Sequence, residues 1–83
     1  MVISVLFFAQ LREQLQCEKL VLEVSAPLSI ADLRTQLVAQ HPHWDAYLHS
    51  DKLLFAINQS LVNASQLISD GDEVAFFPPV TGG

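Results

Sequence analysis

One segment of this chain has the spacing of a long amphipathic helix, and this limits the folds open to it. Ser29 and Asp32 form a capping-box pattern, and apolar residues then recur at helical spacing, which predicts a helix from Ser29 to Gln40. His41 precedes Pro42, which disfavours further helix. A chain of 83 residues with a single major helix has to bury that helix against strands, which predicts a two-layer α+β domain.

Short strands are predicted on both sides of that helix. Val2 to Phe8 is a β-branched and aromatic run, and Lys19 to Ser25 alternates between apolar and polar residues as a hairpin partner would. Between them, Ala9 to Leu15 favours a short helix. Three further strands are predicted at residues 53–58, 60–62 and 73–77. We therefore predict a mixed sheet packed on one main helix, over residues 1–79.

Alternation within the first and last strands assigns their two faces. The residues expected to face the helix are Ile3, Val5, Phe7, Val74 and Phe76. Phe8 and Phe77 are then expected to face away, and no second long helix is available to cover them. Together with Leu61 they are candidates for an exposed apolar patch, which usually marks a partner site. The alternative is that loops cover them, or that the faces are shifted by one residue.

The chain ends in Thr81-Gly82-Gly83, directly after Pro78 and Pro79. The prolines cannot continue a strand as hydrogen-bond donors, so they end the last strand. Two terminal glycines leave bare backbone that enters channels closed to any Cβ. From the second proline the last four residues reach roughly 13–14 Å when extended. We predict that residues 80–83 are a flexible tail whose terminal carboxylate is reactive; the alternative is a frayed terminus.

Charge and cysteine usage narrow the classes of partner. Nine acidic residues against four Lys and Arg give a net charge of −5, which argues against nucleic acid and suits a basic partner. Cys17 is the only cysteine, so no intrachain disulfide is possible, and a small loop or core residue is favoured over a nucleophile. The apolar start is too short to span a bilayer. We expect a cytoplasmic protein with no membrane association.

Several polar groups are set aside as sites. The three histidines lack a companion cysteine, so no metal is expected there. Asp70, Asp72 and Glu73 lack the length and the later glutamate of a calcium loop, so a turn is favoured. Arg12 and Glu13 are expected on a solvated helix face, with contacts at the rim of a partner site as the alternative. Trp44 is expected to pack in the core or over the helix end.

Two stretches of the chain resemble a known family. Residues 5–13, and the ending that runs from Asp70-Gly71-Asp72-Glu73 through an apolar strand and two prolines to Gly82-Gly83, are similar to MoaD, the family of small sulfur-carrier subunits of molybdopterin synthase. The similarity covers the whole chain. It implies a ubiquitin-like β-grasp fold, in agreement with the element order derived above. A Gly-Gly end alone would be weak, because ubiquitin-like modifiers and the thiamine carrier share it.

The resemblance also implies a mechanism. A MoeB-type enzyme would use ATP to adenylate the Gly83 carboxylate, and a sulfur donor would convert it to a thiocarboxylate. The tail, with Thr81 and Gly82 giving access, would enter a MoaE-type large subunit and pass sulfur to the pterin precursor, cyclic pyranopterin monophosphate. Phe8, Leu61 and Phe77 would be docking residues. The catalytic groups would lie on the large subunit, and the body of this chain would bind no cofactor.

Two other functions stay open at this point. One is a sulfur carrier for a different product, such as thiamine or a thiolated tRNA. The other is a protein modifier that joins Gly83 to lysines. Only the family resemblance separates a sulfur carrier for molybdopterin synthesis from a sulfur carrier for another product.

Overall fold

A computed structural model describes residues 1–50 and 52–79 of the chain. In this part the strands are β1 Val2–Phe7, β2 Lys19–Glu23, β3 Leu54–Ile57, β4 Ser60–Val62 and β5 Glu73–Phe77. The α-helices are α1 Ala9–Leu15, α2 Ile30–Gln40 and α3 Asp45–Leu48, with a 3-10 turn at Pro42–Trp44. The predicted element order, and the α+β class with its mixed sheet, are confirmed.

The described strands form one five-stranded sheet in the order β2-β1-β5-β3-β4. β1 pairs antiparallel with β2, from Val2 opposite Glu23 to Leu6 opposite Lys19, which confirms the predicted hairpin partner. β1 and β5 run parallel, with Phe7 opposite Phe76. β3 is antiparallel to both β5 and β4. The first and last strands therefore lie side by side in the middle of the sheet.

The core fills the space between one face of this sheet and the helices. The five residues expected to face the helix are all at most 1% exposed, and so are the α2 residues Ile30, Leu33 and Leu37. Phe7 lies at the centre, with its ring centroid 5.5 Å from that of Trp44 and 5.9 Å from that of Phe76. Trp44 also stacks on His41 at 3.9 Å. Trp44 is thus a core residue at the helix end, as predicted.

The boundaries of α2 follow the local chemistry of the sequence. The Ser29 Oγ accepts the Asp32 N–H at 3.1 Å, while the Asp32 carboxylate accepts the Ser29 N–H at 3.2 Å. This is the predicted capping box, which satisfies two donors at the helix start. The helix ends at Gln40, before His41 and Pro42. No helix within residues 1–50 and 52–79 is long and apolar enough to cross a membrane.

The cap gives a direct test of this local account. Replacing Ser29 by Ala should lower the free energy of unfolding by about 1 kcal/mol, because a donor of the first turn loses its acceptor. For a domain of this size that corresponds to a fall in Tm of about 4–8 °C. Thermal unfolding followed by circular dichroism measures it. Ser29→Gly is the control and should lose only a few tenths of a kcal/mol, since glycine is tolerated at this position. Equal losses of unfolding free energy in the two variants would contradict the assignment of Ser29 as the helix cap.

Candidate functional site

The sheet surface that faces away from the helices is the candidate site, and we call it the outer face. Its central apolar residues alternate with core residues along each strand. They are Leu6, Phe8, Leu54, Ala56, Leu61, Ala75 and Phe77. Leu61 is 70% exposed, Phe8 44% and Leu54 37%, while Phe77 is partly buried. The predicted exposure of Phe8 and Leu61 is confirmed, and the predicted outward face of Phe77 follows from its pairing with Leu54.

Two alanines form the floor of a groove in this face. Ala75 of β5 lies directly opposite Ala56 of β3, and both have side chains too short to fill the space above the sheet. The groove encloses about 430 Å³, and Phe8 and Phe77 line one part of it. A partner's apolar side chain would find a matching depression here, because its walls are largely hydrocarbon.

The two prolines that end the described part of the chain lie beside this groove. Pro78 lines the groove on the outer face, and it also lines a smaller cavity of about 190 Å³ formed with Leu11, Tyr47 and Pro79 on the helix side. The prolines therefore stand at the border between the two layers. The predicted reactive group Gly83 and the access residues Thr81 and Gly82 lie outside the described residues.

The turn before β5 is built from its own carboxylates. Asp70 accepts the Val2 N–H at 2.7 Å, and Asp72 accepts the Ser69 N–H at 2.8 Å. Gly71 has φ +81°, a conformation that side chains rarely adopt. These carboxylates serve as turn acceptors, which agrees with the turn favoured over a calcium loop.

The other polar residues considered above also occupy structural positions. The Arg12 guanidinium lies 4.0 Å from the Glu18 carboxylate, and these side chains are 48% and 77% exposed, so this ion pair contributes little to the stability of the fold. His49 contacts Asp45 at 3.2 Å on α3. Cys17 is partly buried against the core. Within the described ranges no three His, Cys, Asp or Glu side chains are grouped as metal ligands would be.

Sequence reasoning missed two features of the outer face. Leu54 belongs to it because it pairs with Phe77, and the alanine floor exists because β3 lies next to β5. Both depend on strand order, which alternation within a single strand does not reveal. Sequence reasoning also missed Asn58, whose side chain bridges the β3–β4 turn to Asp72 and Glu73. Its positive φ of 50°, followed by 72° at Gln59, is typical of a tight hairpin turn.

Comparison with known sequences gives a consistent result. Residues 5–83 match the ThiS family. A protein of Escherichia coli (strain K12) named molybdopterin synthase sulfur carrier subunit is 47% identical over 81 residues, which covers 98% of this chain and 99% of that protein. A protein of the same name from Haemophilus influenzae is 43% identical, with the same coverage.

Solved structures share the fold over the whole chain. SAMP1 from Haloferax volcanii, a small archaeal modifier protein, superposes with a TM-score of 0.86 at 25% identity, covering 100% of both chains. A chain from the complex of subunits 1 and 2 of molybdopterin-converting factor from Helicobacter pylori superposes with a TM-score of 0.70 at 25% identity, again covering both chains fully. These neighbours are ubiquitin-like, which confirms the β-grasp expectation.

The two adjacent phenylalanines of β5 test the assignment of faces. Phe76→Ala should lower the free energy of unfolding by about 3–5 kcal/mol, because it empties the centre of the core. Phe77→Ala should lower it by less than about 1.5 kcal/mol, since the Phe77 side chain is only partly removed from water. Urea unfolding of the two variants measures both values. A larger loss from Phe77→Ala than from Phe76→Ala would mean that the faces are reversed.

Proposed function

The chain belongs to the ThiS family and, within it, to the MoaD group of molybdopterin synthase sulfur carrier subunits, and on this premise we propose that it delivers sulfur from its C-terminus to a pterin precursor. The observation that carries the proposal is the 47% identity to a sulfur carrier subunit over nearly the full length of both chains. The match to the ThiS family also extends through Gly83, so it includes the terminal glycines.

The chemistry requires activation of the terminal carboxylate. At neutral pH this carboxylate is ionised and is a poor electrophile. An adenylating enzyme of the MoeB type would let the Gly83 carboxylate oxygen attack the α-phosphorus of ATP, with release of pyrophosphate. Hydrosulfide from a donor would then attack the acyl carbon through its sulfur and expel AMP, leaving a thiocarboxylate. In this scheme Gly83 carries the sulfur and the partner enzymes supply the catalytic groups.

The outer face is the proposed docking surface for a MoaE-type large subunit. It contains Phe8, Leu61 and Phe77 in one apolar area next to the root of the tail. A chain with this fold is part of the complex of subunits 1 and 2 of molybdopterin-converting factor from Helicobacter pylori. A partner seated on this face would receive the tail, because the four residues after Pro79 reach roughly 13–14 Å when extended. The folded body would stay outside the partner's active site.

A protein modifier is the second candidate function. The superposition on SAMP1 favours it, because that neighbour is a small archaeal modifier protein. The intact mass of the chain purified from its own cells separates the two functions. Replacement of one terminal oxygen by sulfur supports the carrier. Attachment of Gly83 to lysines of other proteins supports the modifier.

Docking is predicted to depend on Phe77. Phe77→Ala should weaken binding to the cognate large subunit by about 1–4 kcal/mol, because a central apolar anchor is lost. Isothermal titration calorimetry on purified proteins measures this. Leu67→Ala is the matched control: Leu67 is 57% exposed and apolar but lies outside the apolar patch on the outer face, so its removal should leave binding unchanged. Unchanged affinity of the Phe77→Ala variant for the large subunit would exclude the outer face as the docking surface.

Sulfur transfer is predicted to depend on a bare tail of fixed length. Deletion of Gly83 should abolish product formation while the domain stays folded, because the Gly83 carboxylate is the group that is proposed to carry the sulfur. Gly82→Ala should lower adenylation or transfer more than tenfold, a barrier change above about 1.4 kcal/mol, since one methyl group clashes in a narrow channel or forbids the required φ. Thiocarboxylate formation and pterin product are the measurements.

Thermal unfolding and binding to the large subunit are the controls for the tail variants. Both should change little, because the residues that build the fold end near Pro79 and the outer face supplies much of the docking energy. Normal product from the chain without Gly83 would exclude the carrier function.

A further inference from the structure

The three acidic residues before and at the start of β5 have different surroundings. Asp70 accepts a backbone N–H of β1 at 2.7 Å, and Asp72 accepts the Ser69 N–H at 2.8 Å and the Asn58 amide at 2.9 Å. The Glu73 carboxylate has no hydrogen bond or ion pair with any residue that the structure describes. The carboxylates of Asp70 and Asp72 thus stabilise the turn, whereas the charge of Glu73 is not neutralised by any described residue.

Glu73 is held firmly in place through its backbone. The Asn58 N–H donates to the Glu73 carbonyl at 2.8 Å, and the Glu73 N–H donates to the Asn58 side-chain oxygen at 3.0 Å. Because Asn58 also bonds Asp72, one side chain connects the β3–β4 turn to the start of β5. The Glu73 side chain therefore leaves the sheet from a fixed position.

That position is on the wall of the groove in the outer face. Glu73 alternates with Ala75 and Phe77 along the central strand, so all three point outward, with Glu73 and Phe77 about 13 Å apart. Glu73 is partly buried, and it is the one ionisable side chain among the described residues that line this groove. A protein that covers the groove removes water from this carboxylate. A desolvated charge is strongly unfavourable unless an opposite charge meets it.

We propose that Glu73 recognises a lysine or arginine of the large subunit that docks on the outer face. This inference rests on the proposed function. The partner segment would place an apolar side chain over Ala56 and Ala75, and a cation one strand repeat away, about 7 Å along β5. Charge complementarity supports a basic occupant, because the carrier itself has a net charge of −5. Glu73 would then set the orientation of the docked carrier, with its tail directed from the opposite end of the groove.

The test measures affinity for the cognate large subunit at several salt concentrations. Glu73→Gln keeps the size of the side chain and removes its charge, and it should raise Kd about tenfold at low salt. The Kd of this variant should also depend less on salt concentration, because the variant lacks the charge attraction that salt screens. Glu73→Lys should raise Kd by more than about a hundredfold, since like charges then meet in a desolvated contact.

Asp45→Asn is the control, because it removes one negative charge from α3 in the helix layer. It should leave Kd nearly unchanged, and thermal unfolding should confirm that all variants are folded. If Glu73→Gln binds like the wild type, or no more weakly than Asp45→Asn, the role of Glu73 is excluded while the carrier function stands. If the wild-type chain does not bind the large subunit at all, both proposals are overturned.

Discussion

The parallel pairing of β1 with β5 is the contact on which the rest of the structure depends. It joins the two ends of the chain in the centre of the sheet and buries Val5, Phe7, Val74 and Phe76 side by side. Parallel neighbours require a long crossover, and here that connection contains α2, which covers one face of the sheet. The other face keeps its apolar side chains in contact with solvent. The core and the proposed docking surface are thus two sides of the same strand pair.

Most of the fold follows from local patterns in the sequence. The faces of β1 and β5 were predictable because side chains alternate with a period of two, so one buried residue fixes its neighbours. The start of α2 was predictable because Ser29 and Asp32 satisfy each other's backbone donors. Each of these patterns involves only residues that are close together in the sequence, and the tertiary contacts of the fold agree with them.

The groove was not predictable in this way. Its floor requires Ala56 and Ala75 to meet across strands that are separated by β4 and a long loop in the sequence. Nothing within either strand specifies that partner. The distinction among the three acidic residues is similar: their spacing indicates a turn, but only the contacts with Ser69 and Asn58 show that Asp72 is used by the fold. The proposed role of the tail rests on family membership, since the group proposed to react there is the terminal carboxylate, which no side-chain pattern can reveal.

The adjacent Phe76 and Phe77 have a consequence for how such a chain tolerates changes of length during evolution. One inserted or deleted residue within β5 would exchange the two rings, exposing that of Phe76 and burying that of Phe77. The same event would shift the start of the tail relative to the body by one residue. Insertions and deletions are therefore expected to be excluded from β5. The number of residues between Glu73 and the two prolines is therefore expected to be the same in related chains.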